Sequence, residues 1–379
     1  VSTDTFNQGQ AGDLTITARE SLNISGALSF ANNRFFRSAL STLTRGSGTA
    51  GNLRIVDTGT VRIEGGAGIF ASSFGEGNGG NIEVNANRLD LFGISEDKQF
   101  ASALVSETRS NSSSTRAGSI NIFTNILNIK DGASISTRTF NQGRGGDLNI
   151  TARESVNIAG TGTLSNGQVT RSGLFTTTSG SGAAGNIKIL DTGLIQMQNG
   201  GQVLASTLGL GKGGTIDVTA DKVDLEGISS NQIFPSGFGS ETSGIGSSAN
   251  AGDVTLTTKI LNVRDGARIS TESFNQGQAG NLTVSASESL NITGIGIQNN
   301  NTVSSGLFTS TRNSGAAGNL RIFNTGLLKV QDGGIVRAST LGQGQGGNLE
   351  VDADIIEIAG ISNNQGIRSF LGSETTGIG

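Results

Sequence analysis

The tetrapeptide Phe6-Asn7-Gln8-Gly9 recurs at Phe140 and again at Phe274, and both steps are 134 residues. The 379-residue chain therefore divides into a copy at 1–134, a second at 135–268 and a shorter third at 269–379. Each copy repeats again inside itself. A small residue and a Gly, usually followed by Asn or Asp, precede an apolar-x-apolar triplet. That Gly falls at 12, 51, 80, 118, 146, 185, 214, 252, 280, 318 and 347, so eleven units alternate between long and short. Repeats of this length belong to solenoids and propellers, in which a unit buries its apolar face only against its neighbours.

Every marker Gly is followed by a strand signal. Leu14/Ile16, Leu53/Ile55, Ile82/Val84, Ile120/Ile122 and Leu148/Ile150 open the series, and the remaining six units continue it. The residue inside each pair is mostly polar, which is the period-2 alternation of a half-buried strand. A second apolar pair follows, as in Leu22/Ile24, Val61/Ile63, Leu89/Leu91 and Leu127/Ile129. The distance from first pair to second runs 8, 8, 7, 7 and then repeats, which predicts a fixed corner between two strands. A looser third strand closes each unit, as in Ile135-Ser136-Thr137 and Ile269-Ser270-Thr271. No segment reads as a helix of useful length. The expected fold is all-β: a parallel β-helix, or β-solenoid, of about eleven three-stranded coils, in which the other two strands of each coil provide the crossover that parallel neighbours require. Coils spaced by about 4.8 Å predict a rod on the order of 50 Å long. A β-propeller is the rival architecture, but its blades carry four antiparallel strands and a Trp-Asp signature, and this sequence has no Trp. One continuous solenoid over 1–379 is expected rather than separate domains.

Composition narrows function. The chain has no Cys and no His, which removes thiolate metal sites, disulfides, Cys nucleophiles, Ser-His-Asp triads and the commonest general base. Net charge is −4, so a nucleic-acid partner is not expected. No apolar run reaches the roughly 18 residues of a membrane span. The Walker pattern is absent, and the 60 Gly match corner geometry rather than phosphate binding.

The repeated polar residues read as structural. Asp13, Asn52, Asn81, Ser119, Asp147, Asn186, Thr215, Asp253, Asn281, Asn319 and Asn348 follow the marker Gly and are expected to stack as a ladder at one corner. Lys130-Asp131-Gly132-Ala133, Arg264-Asp265-Gly266-Ala267 and Gln331-Asp332-Gly333-Gly334 have the look of calcium turns but lack the consecutive Asp-bearing rungs of the calcium nonapeptide, and are read as tight turns. A carboxylate pair is a catalytic chemistry the composition permits, since glycoside cleavage needs only two acids. The acids, however, recur from copy to copy, as in Glu20, Glu154 and Glu288, or Glu107, Glu241 and Glu374, and are read as a solvated face. The non-recurrent Glu96-Asp97-Lys98 lies in a long loop without an evident partner. Thr176-Thr177-Thr178 suggests an ice-binding array, but the equivalent places Ala71-Ser72-Ser73, Ala205-Ser206-Thr207 and Ala338-Ser339-Thr340 break it. No residue is therefore nominated as catalytic, cofactor-binding or metal-ligating, no cofactor is expected, and the protein is read as not an enzyme. The extra length of the long units falls at Gly26–Arg37, Gly93–Ala101, Gly160–Arg171, Gly227–Pro235, Gly294–Val303 and Gly360–Arg368, always after the second strand. These loops should emerge along one edge on every second coil, about 10 Å apart. They are either a binding comb or packing flaps, and Phe30, Phe35, Phe36, Phe100, Phe234 and Pro235 vary most among them.

Units such as Ser72-Ser73-Phe74-Gly75-Glu76-Gly77-Asn78-Gly79-Gly80-Asn81-Ile82-Glu83-Val84 and Ala338-Ser339-Thr340-Leu341-Gly342-Gln343-Gly344-Gln345-Gly346-Gly347-Asn348-Leu349-Glu350-Val351 resemble the repeats of large cyanobacterial exoproteins of the filamentous-haemagglutinin type. The resemblance covers essentially the whole chain. It implies a right-handed parallel β-helix, two-partner secretion, an extracellular or cell-surface location, and a role as a structural or adhesive fibre. The implied partners are further copies or further coils of the same chain, and a cell-surface or polysaccharide target. Polysaccharide binding or cleavage by a β-helix is the alternative. Val1 aligns with Ile135 and Ile269, and Glu374–Gly379 matches Glu241–Gly246, so the expectation is a segment of a longer fibre, whether by continuation of the chain or by end-to-end stacking.

Overall fold

A computed structural model of the chain describes residues 1–30, 34–244, 246, 248–362 and 366–375. The described residues form strands and turns and contain no α-helix, so none crosses a membrane as a long apolar helix. The fold is an all-β parallel solenoid. Its contacts divide it into two compact units, Val1–Lys188 and Ile189–Gly379, each described by itself. The side chains of Phe30 and Phe35, and residues 376–379 of the matching terminal pattern, lie outside the described residues.

In the first unit one parallel sheet contains the long strands Leu53–Glu64, Ile82–Phe92, Ile120–Lys130 and Leu148–Ala159, and a second contains the short strands Ala39–Thr44, Gly68–Ser73, Ala103–Thr108, Ser134–Thr139 and Gly173–Thr178. The second unit repeats the scheme, with long strands from Ile216–Glu226 to Leu349–Ala359 and short strands from Gln202–Thr207 to Phe370–Thr375. The two apolar pairs of each sequence unit, expected as separate strands, mostly run on as one strand of 11 or 12 residues. Only in the first coil do they separate, into Leu14–Thr17 and Ser21–Ser25. The corner survives as an irregularity inside the long strand. Pairing shifts register between Ile55 and Thr58, and between Thr124 and Ile126, where the interval between pairs changes between eight residues and seven. Between Ile82–Phe92 and Ile120–Lys130, which share the shorter interval, register is kept.

The core of each unit lies between its two sheets. In the first unit Ile55, Val84, Ile122 and Ile150 stack in register, as do Val61, Leu89, Leu127 and Val156, and all are essentially inaccessible. Full burial of such a side chain contributes about 1.5–3 kcal/mol. The marker glycines form a column of their own. A Cβ on Gly51, Gly80, Gly118, Gly146 or Gly185 would sit on the carbonyl of the marker Gly one coil before it. Here Gly is required for close stacking of backbone, not for a left-handed φ.

Those carbonyls receive hydroxyl donors from the short strands. Thr42, Thr137 and Thr176 donate to Gly51, Gly146 and Gly185, each nine residues ahead, at 2.5–2.6 Å. Thr271 and Thr309 do the same for Gly280 and Gly318. Where the coil has Ala at this place, Ser from the next coil donates instead: Ser106 to Gly80 and Ser240 to Gly214, both at 2.8 Å. The same Ser hydroxyls accept from the amides of Gly118 and Gly252 at 2.8 Å, twelve residues ahead rather than nine. A longer turn moves the marker Gly out of reach as an acceptor and presents its amide. Thr176 and Thr178 thus point into the core and are fully buried, so this Thr run is not an exposed array.

Candidate functional site

The corner after the marker Gly forms the expected ladder. The backbone amides of Asn52, Asn81, Ser119 and Asn186 donate to the side-chain oxygens of Asp13, Asn52, Asn81 and Asp147 in the preceding coils, at 2.7–3.1 Å. In the second unit Asn281 donates to Asp253, Asn319 to Asn281 and Asn348 to Asn319. A second ladder joins Asp90, Asn128 and Asn157 at 2.7 and 3.0 Å. These polar stacks align the coils at the corner.

The tight turns are also as expected. Asp131, Asp265 and Asp332 have φ of 52–57° and each is followed by a Gly in the left-handed region. Burial first, and the charge of Glu226 second, push the Asp265 carboxyl above the usual carboxylate range. Among the described residues no three His, Cys, Asp or Glu side chains gather as a metal-holding group.

The expectation that recurrent acids form a solvated face holds for Glu20, Glu154 and Glu288, which are exposed, and fails for Glu107. Glu107 lies on the outer side of a short strand and is buried. It is flanked in register by Ser72 and Arg138, and ion-pairs with Arg109 at 3.4 Å. Glu241 and Glu272 are direct neighbours on adjacent short strands, and Arg268 reaches Glu272 at 3.9 Å. These acids sit in a sheet face crowded by neighbouring side chains, which is why they are not solvated.

The long-unit loops emerge as hairpins, Ala27–Phe30 with Arg34–Arg37, Thr161–Thr163 with Val169–Arg171 and Ile295–Gln298 with Asn301–Ser304, alternating with loops closed by the bridges Ile94–Ala101, Ile228–Pro235 and Ile361–Arg368. They are fastened to one another. The amide of Ser165 donates to the Lys98 carbonyl at 2.8 Å, and that of Asn299 to the Gln232 carbonyl at 2.7 Å. Arg37 donates to the carbonyls of Gly66, Ala67 and Ala101, with its guanidinium 4.6 Å from the Phe70 ring and 5.5 Å from the Phe100 ring. Burial, and secondarily the charge of Arg138, lower the pKa of Arg37 to about 10. The loops therefore pack as flaps. Glu96, which had no evident partner in the sequence, lines an open pocket of about 840 Å³ beside Leu28, Phe36 and Arg37.

The chemistry most exposed to solvent lies elsewhere, at the corner that follows each short strand. In the first unit the residues at this place are Phe6, Arg45, Phe74, Arg109, Phe140 and Ser179, the first five forming an alternating Phe–Arg stripe. Their amides hold them in line: Arg45 donates to Thr5, Phe74 to Thr44, Arg109 to Ser73 and Phe140 to Thr108, at 2.8–3.2 Å. Arg45 lies 5.8 Å from both the Phe6 and Phe74 rings. Arg109 lies 4.8 Å from Phe74 and 4.9 Å from Phe140. The rings remain 69, 36 and 38% exposed for Phe6, Phe74 and Phe140. Exposed cation–π contacts of this kind contribute about 0.5–1 kcal/mol each, little beside the core. In the second unit the equivalent corner keeps one such contact, Arg312 over Phe274 at 4.6 Å, and exposes Leu208 and Leu341. Sequence reasoning used Phe6, Phe140 and Phe274 only as repeat markers. The signal for the stripe was the residue seven places into each short-strand segment, which alternates Phe and Arg from Phe6 to Phe140 and reads Ser179, Leu208, Ser243, Phe274, Arg312 and Leu341 thereafter.

Fold and corners together define a parallel β-solenoid with an exposed aromatic–cationic edge. No family model, no curated protein and no solved structure matches the chain.

Proposed function

We propose that the chain is a non-catalytic, adhesive and structural segment of an extracellular fibre. The observation that carries the reading is the Phe6–Arg45–Phe74–Arg109–Phe140 stripe, in which apolar rings and cations are displayed on the outside of a repetitive scaffold. Supporting it, the coils repeat the same in-register core and the same polar ladders with little local exception. Solenoids of this kind are stabilised by nearest-neighbour contacts. The test is adhesion itself: the chain, immobilised on beads, is presented to bacterial and abiotic surfaces under flow. Retention above that of an albumin coating, lost in a Phe6→Ser/Phe74→Ser/Phe140→Ser variant that keeps its β-sheet circular dichroism, is expected. Equal retention of the variant overturns the assignment to this edge.

A second reading, polysaccharide cleavage, has one observation in its favour, the side-by-side carboxylates Glu241 and Glu272. Glycoside hydrolysis needs two acids at a set separation. No release of reducing ends from a panel of polysaccharides is expected; release abolished by Glu241→Gln or Glu272→Gln would overturn the non-catalytic proposal.

A further inference from the structure

We infer that the Phe6–Arg45–Phe74–Arg109–Phe140 stripe binds a linear polysaccharide carrying one uronate per disaccharide, laid along the direction in which the coils stack. This rests on the adhesive reading and names its ligand class. Three observations carry it.

The first is charge. In the turn segments that follow the short strands of these coils, residues 45–50, 74–79, 109–117 and 140–145, the cations are Arg45, Arg109, Arg116 and Arg144 and the acid is Glu76. The whole chain has more acids than bases, 30 against 26, so this edge inverts the overall balance. Among the described residues Arg45 has no ion-pair partner, and Glu107 alone offsets Arg109. An anionic ligand fits here and a cationic one does not.

The second is the shape of each subsite. Both guanidiniums of the stripe stand between two phenyl rings. Arg109 is about half exposed with its Nε 3.4 Å from Glu107, and a guanidinium with terminal N–H groups open to solvent takes a planar carboxylate in two parallel hydrogen bonds. The flanking rings, left partly open, offer apolar surface to the C–H faces of pyranose rings.

The third is the period. Like residues recur on every second coil, which is about 10 Å along the stack. That is close to the length of one extended disaccharide. A polymer with alternating uronate and neutral sugars sets each carboxylate over an Arg and each neutral sugar over a Phe. A nucleic-acid strand, by contrast, carries a phosphate about every 3.4 Å of helix axis, roughly three for each Arg of the stripe.

The test uses the full chain and hyaluronan oligosaccharides, which carry one unsulfated uronate per disaccharide, in a calorimetric titration at low and moderate salt. Binding is expected, weaker as salt rises because the edge is exposed, and reduced at least tenfold when the polymer's carboxyls are reduced to alcohols. Arg45→Ala/Arg109→Ala and Phe74→Ala are each expected to lower affinity tenfold or more. Arg45→Lys/Arg109→Lys should restore the charge without the paired hydrogen bonds and recover only part of it. Absence of hyaluronan binding, equal binding of the carboxyl-reduced polymer, or equal affinity for a single-stranded oligonucleotide overturns the proposal. The comparison of native and carboxyl-reduced polymer on the unmodified chain needs no variant to fold. Should hyaluronan fail to bind while the Phe→Ser variant still loses surface retention, the ligand class is wrong and the adhesive reading stands; loss of neither removes both.

Discussion

Replacing Ser106 by Ala removes one hydroxyl and leaves two main-chain groups without their partner. Ser106 is fully buried, donates to the Gly80 carbonyl and accepts from the Gly118 amide, both at 2.8 Å. It joins two successive coils through one atom. An Ala at this place fills nearly the same volume, so packing is almost unchanged and the cost is polar. Leaving a buried donor or acceptor unsatisfied costs about 1–3 kcal/mol. The Gly118 amide is therefore expected to lose between about fivefold and 150-fold of its hydrogen-exchange protection, at about 1.4 kcal/mol per factor of ten. Exchange is the right assay because long repeat arrays do not unfold in one cooperative step, and a local opening is what the substitution should produce. Ser240→Ala should do the same to the amide of Gly252, which is bonded in the same way. Unchanged protection at Gly118, with unchanged protection at the neighbouring core amides, would refute the claim that this hydroxyl holds the coils together.

Three further outcomes follow from the same physics. Ile150→Asp places a charge in an inaccessible stack and is expected to shift the thermal unfolding profile to lower temperature and to strip hydrogen-exchange protection from the neighbouring coils; a melting profile close to that of the parent contradicts the inward assignment. Gly80→Ala drives a Cβ onto the Gly51 carbonyl, and overpacking of this kind costs about 1–3 kcal/mol, measurable as a lower urea midpoint. Asp265→Asn is expected to stabilise the fold slightly at neutral pH, because Asp265 is held above its ordinary pKa and its ionised form is disfavoured in the folded state. The sign is fixed: the penalty is present above the folded pKa and absent below the unfolded one, so the gain should vanish in urea titrations run at acid pH, and a gain that persists there refutes the account. Asn is tolerated at this φ, since Asn199 adopts 52° in an equivalent turn.

The register shifts show how much of the fold was written in residue spacing. The interval between apolar pairs changes from eight to seven between the coils of Val61 and Leu89, and from seven to eight between those of Leu127 and Val156. Those are the places where the ladders slip. Spacing is legible because a parallel solenoid stacks equivalent residues and cannot absorb an extra residue without a bulge. The Asn and Asp corner was legible for the same reason. What spacing did not reveal was continuity: an alternation of period two looks the same whether the chain turns between two strands or runs on through a bulge.

The exposed aromatic–cationic edge is spread over distant positions of the sequence. Phe6 and Phe140 stood out as repeat markers, and Arg45, Phe74 and Arg109 fell in unremarkable turns. In sequence they are 29–39 residues apart. Only stacking brings an Arg between two rings, because neighbouring coils lie about 4.8 Å apart while the chain between them travels a full turn. Burial of Glu107 was hidden likewise, since it depends on Ser72 and Arg138 of adjacent coils. The amino-acid sequence by itself determined the repeat, the parallel all-β architecture, the core columns and the corner ladders, all of which follow from local periodicity. The tertiary structure decided which hydroxyl meets which glycine carbonyl, which loops fasten to which, and which side chains of distant coils share one exposed edge, because those depend on contacts between residues that periodicity alone does not pair.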